Sequence, residues 1–147
     1  FLTSSLEGEA RDVGLVLSAL AREISASGNP VLRPAAVVMG GETTVTVVGS
    51  GVGGRNQEIA LSASAKIGDM DGVVIASAST DGIDGPTNAA GAVADGSTVV
   101  RARKLSLNPL EYLKNNDSCS FFTKMGDLII TGPTGTNVND LSIIVMI

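Results

Sequence analysis

Histidine and tryptophan are absent from the 147 residues of this chain, and its one cysteine, Cys119, stands alone. Without histidine there is no Ser-His-Asp triad, no Cys-His dyad and no Cys/His zinc site, and one cysteine closes no internal disulfide. Cys119, beside Phe121 and Phe122, reads as a small buried hydrophobe. Aromatic residues make up only 3% of the chain, so the core has to be aliphatic. No apolar run reaches the roughly eighteen residues of a membrane span, and no signal peptide is visible, so the expectation is a cytoplasmic protein without a membrane role. Positive charge is also scarce. Ten Lys and Arg against fifteen Asp and Glu give a net charge of -5, which removes the electrostatic footprint of a nucleic-acid binder. The one basic cluster, Arg101, Arg103 and Lys104, reads as a solvated helix face.

What is present is the composition of a packed domain, 44% hydrophobic and 17% charged, expected to form one unit over residues 1–147. The chain opens on Phe1, which suggests a piece of something longer. Ser4 with Glu7 reads as a capping box, followed by apolar residues at helical spacing from Ala10 to Ile24, which predicts a helix over 7–26. Gly28 and Pro30 stop it. Strands are expected at 35–39 and at 43–48, where Thr44 and Thr46 alternate with Val45 and Val47, and a helix over 55–67. Residues 73–79, small and continuously apolar, read as a strand buried on both faces of a parallel sheet. Short helices at 97–106 and 109–125 and strands at 128–131 and 141–147 complete the chain. This alternation predicts an α/β domain with a mixed or largely parallel sheet flanked by helices. Three loops, 49–56, 80–91 and 131–140, each begin where a strand ends, the place where ligands collect in open α/β sheets.

The first loop, Gly49-Ser50-Gly51-Val52-Gly53-Gly54-Arg55-Asn56, brings backbone N–H groups and a guanidinium to a helix N-terminus, an anion cradle in outline. Gly49, Gly51 and Gly54 satisfy G-x-G-x-x-G, but Asp69 and Asp71 precede the next strand and Asp81 comes too late for the acidic partner of a dinucleotide fold. A P-loop fits worse, because Arg55-Asn56 stands where Lys and a magnesium-binding Ser or Thr belong. A glycine turn that only lets strand and helix pack closely is the plain alternative. In the second loop Asp81 and Asp84 have the chemistry to share a magnesium ion with substrate phosphates, or to make local turn hydrogen bonds. The third holds three threonines, two glycines, two asparagines and an aspartate, donors suited to phosphate or a hydroxy acid.

Taken together, Gly40-Gly41-Glu42-Thr43-Thr44-Val45-Thr46-Val47, Gly53-Gly54-Arg55-Asn56-Gln57-Glu58, Thr80-Asp81-Gly82-Ile83-Asp84-Gly85-Pro86-Thr87 and Thr131-Gly132-Pro133-Thr134-Gly135-Thr136-Asn137-Val138-Asn139-Asp140 resemble the C-terminal MOFRL region of class II glycerate 2-kinases. The resemblance extends to Ser4-Ser5-Leu6-Glu7-Gly8-Glu9-Ala10 and to Asn116-Asp117-Ser118; one departure is Thr43, where relatives often carry His. It implies transfer of the γ-phosphoryl of ATP to glycerate with Mg2+, in a cleft completed by a larger N-terminal domain that supplies a lysine. This chain alone would then be inactive. By the same resemblance Arg55 would stabilise the transferring phosphate or bind the glycerate carboxylate, and Asp81 and Asp84 would organise the metal. Gly51, Gly53, Gly54, Asn56, Thr134, Gly135, Thr136, Asn137 and Asp140 would line the substrate and nucleotide walls. Some relatives carry the older label hydroxypyruvate reductase, so a nicotinamide-dependent reductase is the alternative, and a non-catalytic interaction module a third reading.

Overall fold

The computed structural model describes all of residues 1–147. Its longest element is helix α1, Ala10–Ser27, in which Ala10, Val13, Leu17, Ala21 and Ile24 are buried at helical spacing. The helix stops at Gly28, whose left-handed φ of 73° lets its N–H return to the Ile24 carbonyl at 3.0 Å. Its start differs from the expected capping box. Thr3–Leu6 form a short edge strand, β1, and the N-cap is Glu9 with no side-chain cap. The Glu9 carboxylate instead accepts from the N–H of Thr46 at 2.9 Å.

Strand β2, Ala35–Gly41, lies parallel to β1. Helix α2 is Arg55–Ser64, and β3, Val73–Ser79, follows. Strand β4, Gly91–Asp95, was not expected from the sequence; its small residues lie between polar turns and lack a β-branched run. Helices α3, Thr98–Lys104, α4, Pro109–Lys114, and α5, Ser118–Met125, lead to β5, Leu128–Ile129, and β6, Asp140–Met146. The sheet order is β1-β2-β6-β3-β4-β5. Only the β1–β2 pair is parallel; every other neighbour is antiparallel. Strand β3 is therefore not the two-sided strand of a parallel sheet. Val73, Ile75, Ser77 and Ser79 are buried while the residues between them are only half-buried. Residues 43–48 are not a ladder strand either. Thr44 makes one bridge to Glu9, and beyond it the N–H groups of Thr46 and Val48 are taken by the side chains of Glu9 and Asn116.

The buried face of the sheet, with Val37, Met39, Ile75, Ala92, Ala94, Ile144 and Met146, meets α1 and α2 in one aliphatic core. Phe121 and Phe122 stack edge-on, and Tyr112 packs edge-on against Phe121, so these three aromatics serve packing, while Phe1 is exposed. Cys119 is only half-buried. Arg101 is paired bidentately with Asp127 at 2.7 and 3.1 Å, while Arg103 and Lys104 face solvent. Where α1 crosses α2, a side chain at Gly14 would stand 2.5 Å from the Ile59 carbonyl oxygen. Gly14→Ala should therefore push the helices apart and cost about 1–3 kcal/mol, read as a lower urea midpoint with an unchanged slope.

Candidate active site

Strand register brings the three loops together. Gly41 at the end of β2 and Ser79 at the end of β3 both pair with Asp140 at the start of β6, and Ile129 at the end of β5 pairs with Gly91. The segments after β2, after β3 and before β6 thus leave from one edge of the sheet, which goes against a module whose loops scatter over different faces. A cleft of about 740 Å³ opens there, lined by Glu42, Thr43, Gly51, Gly53, Gly54 and Arg55 among others.

Arg55, the first residue of α2, forms a fork-to-fork pair with Asp140, Nε to Oδ2 at 2.6 Å and Nη2 to Oδ1 at 3.1 Å. Its Nη1 meets Glu42 at 3.0 Å. Asp140 is buried, whereas the Glu42 side chain is 52% exposed, so one carboxylate is fixed and the other is displaceable. The hydrogen bond and charge of Asp140 hold the Arg55 guanidinium above its ordinary pKa, against the effect of burial. Arg55 stays charged.

The helix N-terminus is not open for a phosphate in the way the sequence suggests. The Asp84 carboxylate fills it. Its Oδ1 accepts from the N–H of Asn56 at 3.1 Å and its Oδ2 from the N–H of Gln57 at 2.9 Å, with the side-chain amides of both residues adding bonds of 3.2 and 3.0 Å. Asp84 is 2% exposed, and burial raises its pKa more than these donors lower it. Gly54 permits this approach, since a Cβ there would lie 2.3 Å from the Asp84 carboxyl carbon. Asn56 is also fully buried, its Oδ1 accepting from Ser77 at 2.6 Å, while Ser77 bonds Ser142 at 2.9 Å. The expectation that Asp81 and Asp84 share a magnesium ion therefore does not fit the geometry, nor does Asn56 as a ligand contact. Both side chains anchor α2 to the sheet and to the second loop.

Asp81 remains at the surface. Its Oδ1 accepts from Ile83 N–H at 2.9 Å and Ser79 at 2.8 Å, which hold the carboxyl below its usual range, and its Oδ2 accepts from Asn137 at 3.2 Å. No cluster of three or more carboxylate or thiol side chains assembles in the chain. Thr134 donates to the Thr80 carbonyl, which ties the third loop to the second. Thr134, Gly135, Thr136 and Asn137 are exposed beside the cleft and do not line it. Asp140 joins it through Arg55.

The glycine-rich turn is not preceded by a ladder strand, so the context that a dinucleotide fingerprint needs is missing. The N–H groups of Gly53 and Gly54 have no partner within the chain and stand next to Arg55. Several cleft residues carried no site role in the sequence, Glu42, Glu58 and Asn116 among them, although all three stand within the motifs quoted for the family resemblance. Glu58 could have been found, because it stands one helical turn beyond Arg55 on the same face. Its Oε1 accepts from Arg11 Nε at 3.1 Å, and burial raises its carboxyl pKa even against the Asn116 amide and Arg11.

The MOFRL family pattern matches residues 35–140, which hold the cleft loops and the helix between them. The chain belongs to the MOFRL family. This MOFRL chain is 51% identical over 142 residues to the D-glycerate 2-kinase of Thermotoga maritima and 47% identical over 146 residues to the glycerate 2-kinase of Pyrococcus horikoshii. The alignments cover 97% and 99% of this chain but 34% and 33% of those proteins, so the chain spans about a third of their length. A crystal structure of glycerate kinase from Thermotoga maritima superposes with a TM-score of 0.97 at 50% identity, covering 99% of this chain and 35% of that one. No helix is long and apolar enough to cross a membrane.

Proposed function

We propose that this chain forms one wall of the active-site cleft of a glycerate 2-kinase, the other wall belonging to an N-terminal domain of the same enzyme. The observation that carries the reading is the charged, loop-built cleft around Arg55, in a chain 51% identical to a D-glycerate 2-kinase. In the reaction the 2-hydroxyl oxygen of glycerate attacks the γ-phosphorus of ATP, the bond to the β-phosphate bridging oxygen breaks, and 2-phosphoglycerate, ADP and a proton leave. Such a transfer asks a protein chiefly for position and charge compensation. Arg55 supplies a permanent cation held in one orientation by Asp140, and the free N–H groups of Gly53 and Gly54 add donors beside it. An incoming phosphate or carboxylate takes the Nη1 position by displacing the exposed Glu42. Asp81, the more exposed carboxylate of the second loop, would have to give up its bond to Asn137 to hold a magnesium ion brought with ATP, whose chemistry would be to neutralise phosphate charge.

The test is an assay of the full-length protein with D-glycerate and magnesium-ATP. Formation of 2-phosphoglycerate and ADP in equal amounts is expected, with no turnover by residues 1–147 alone. Oxidation of NADH by hydroxypyruvate, without phosphoryl transfer, would replace this reading by the reductase.

A further inference from the structure

We propose that Asn116, between α4 and α5, is a positioning residue that fixes the glycine-rich turn to helix α2 through Glu58; the inference rests on the cleft being a kinase site. Asn116 is 5% exposed, adopts φ of 53°, and uses its whole amide. Its Oδ1 accepts from the N–H groups of Val48 at 2.8 Å and Gly49 at 3.0 Å. Its Nδ2 donates to the Thr46 carbonyl at 3.3 Å and to Glu58 Oε2 at 3.1 Å. The flanking residues continue the pattern. Asn115 accepts from Ser50 N–H through its side chain and from Gly51 N–H through its carbonyl, and Asp117 Oδ1 accepts from Val52 N–H.

Five consecutive N–H groups, Val48 to Val52, are thus satisfied by three consecutive residues outside the turn. A turn held in this way takes its shape from the α4–α5 junction and not from its own hydrogen bonds. Asn116 also ties that shape to α2, because Glu58 stands three residues beyond Arg55 on one helix and is itself held by Arg11 of α1. The cleft wall and the guanidinium are therefore set by one assembly. Asn116→Ala removes the acceptor of two N–H groups, and Asn116→Asp places a second carboxylate against Glu58. The double variant Asn116→Asp with Glu58→Gln exchanges amide and carboxylate and restores the bond between the two side chains, while the Thr46 carbonyl loses its donor.

Amide hydrogen exchange on the chain is the direct measurement. In Asn116→Ala, exchange at Val48 and Gly49 should quicken about tenfold or more while the amides of β3 and β6 keep their protection. Unchanged exchange at Val48 and Gly49 would overturn the assignment. In the full-length enzyme, Asn116→Asp should raise KM for glycerate or ATP about tenfold with kcat within about threefold, and the exchanged pair should recover part of the loss. A pair that recovers nothing overturns the coupling through Glu58. Should the full-length protein lack kinase activity, the functional reading fails, and amide exchange still decides whether Asn116 holds the turn.

Discussion

Asp84→Ala is expected to destabilise the domain by about 3 kcal/mol or more, measured as a loss of urea midpoint. The estimate follows from leaving buried N–H groups without an acceptor, at about 1–3 kcal/mol each. Asp84 receives both backbone and side-chain donors of Asn56 and Gln57, and neither residue has water to turn to. Asp84→Asn should recover only part of the loss, because its amide nitrogen meets N–H donors where an oxygen was. The variant series also carries a pH signature. Burial raises the carboxyl pKa of both Asp84 and Glu58, so the folded state keeps protons that the unfolded chain has lost. Where the native state binds more protons, stability falls as pH rises. The contribution of these two groups is thus greatest below the ordinary carboxylate pKa values of about 4 and declines as pH climbs through the raised native values. Urea titrations at a series of pH values should show a shallower decline in Asp84→Asn and in Glu58→Gln. An equal slope in all three proteins would mean that neither carboxyl is perturbed.

How far the sequence could be read depended on whether a pattern was local. Helix α1 was legible because Val13, Leu17, Ala21 and Ile24 repeat at helical spacing and Gly28 ends it. The convergence of the loops was legible in part: 80–91 and 131–140 do follow strands, β3 and β5, whereas the glycine-rich turn follows a segment outside the ladder. The direction of the strands was not. A continuous small run such as 73–79 fits a strand in either kind of sheet, and one of its antiparallel neighbours, β6, comes from the far end of the chain, while the other, β4, was not expected as a strand. The alternating 43–48 segment failed for another reason. Its threonines and valines suit a pleated strand, but Glu9 and Asn116 take the N–H groups of Thr46 and Val48, which a partner strand would need. At the site, Arg55 and the glycines were legible as a group capable of binding an anion. Asp84 was not legible as the anion already seated there, because a spacing of two aspartates says nothing of which one turns inward. Asn116 carries no periodic signal; its role depends on meeting a turn 67 residues away in sequence.

Arg55→Lys is expected to lower kcat/KM for glycerate phosphorylation by about a thousandfold, at the low end of what a transition-state arginine contributes. Lysine keeps the charge but not the planar fork, so it cannot hold Asp140 through two parallel bonds and still present a third nitrogen to a substrate. Arg55→Ala should be as inactive and less stable, because it also leaves Asp140 buried and unpaired, a change that costs about 3–5 kcal/mol. The comparison separates catalysis from folding: a lysine variant with near-native urea stability and lost activity assigns the fork to the reaction. Glu42 supplies the opposite sign. It meets Arg55 only through Nη1 and its side chain is 52% exposed, so Glu42→Gln frees that nitrogen while Asp140 keeps the guanidinium in place. The expected result is a lower KM for the anion that binds Arg55, by up to about fivefold for the loss of one partly exposed ion pair. If Arg55→Lys turned over at the native rate, the guanidinium would be a structural partner of Asp140 alone. Phosphoryl transfer would then depend on another cation facing the cleft.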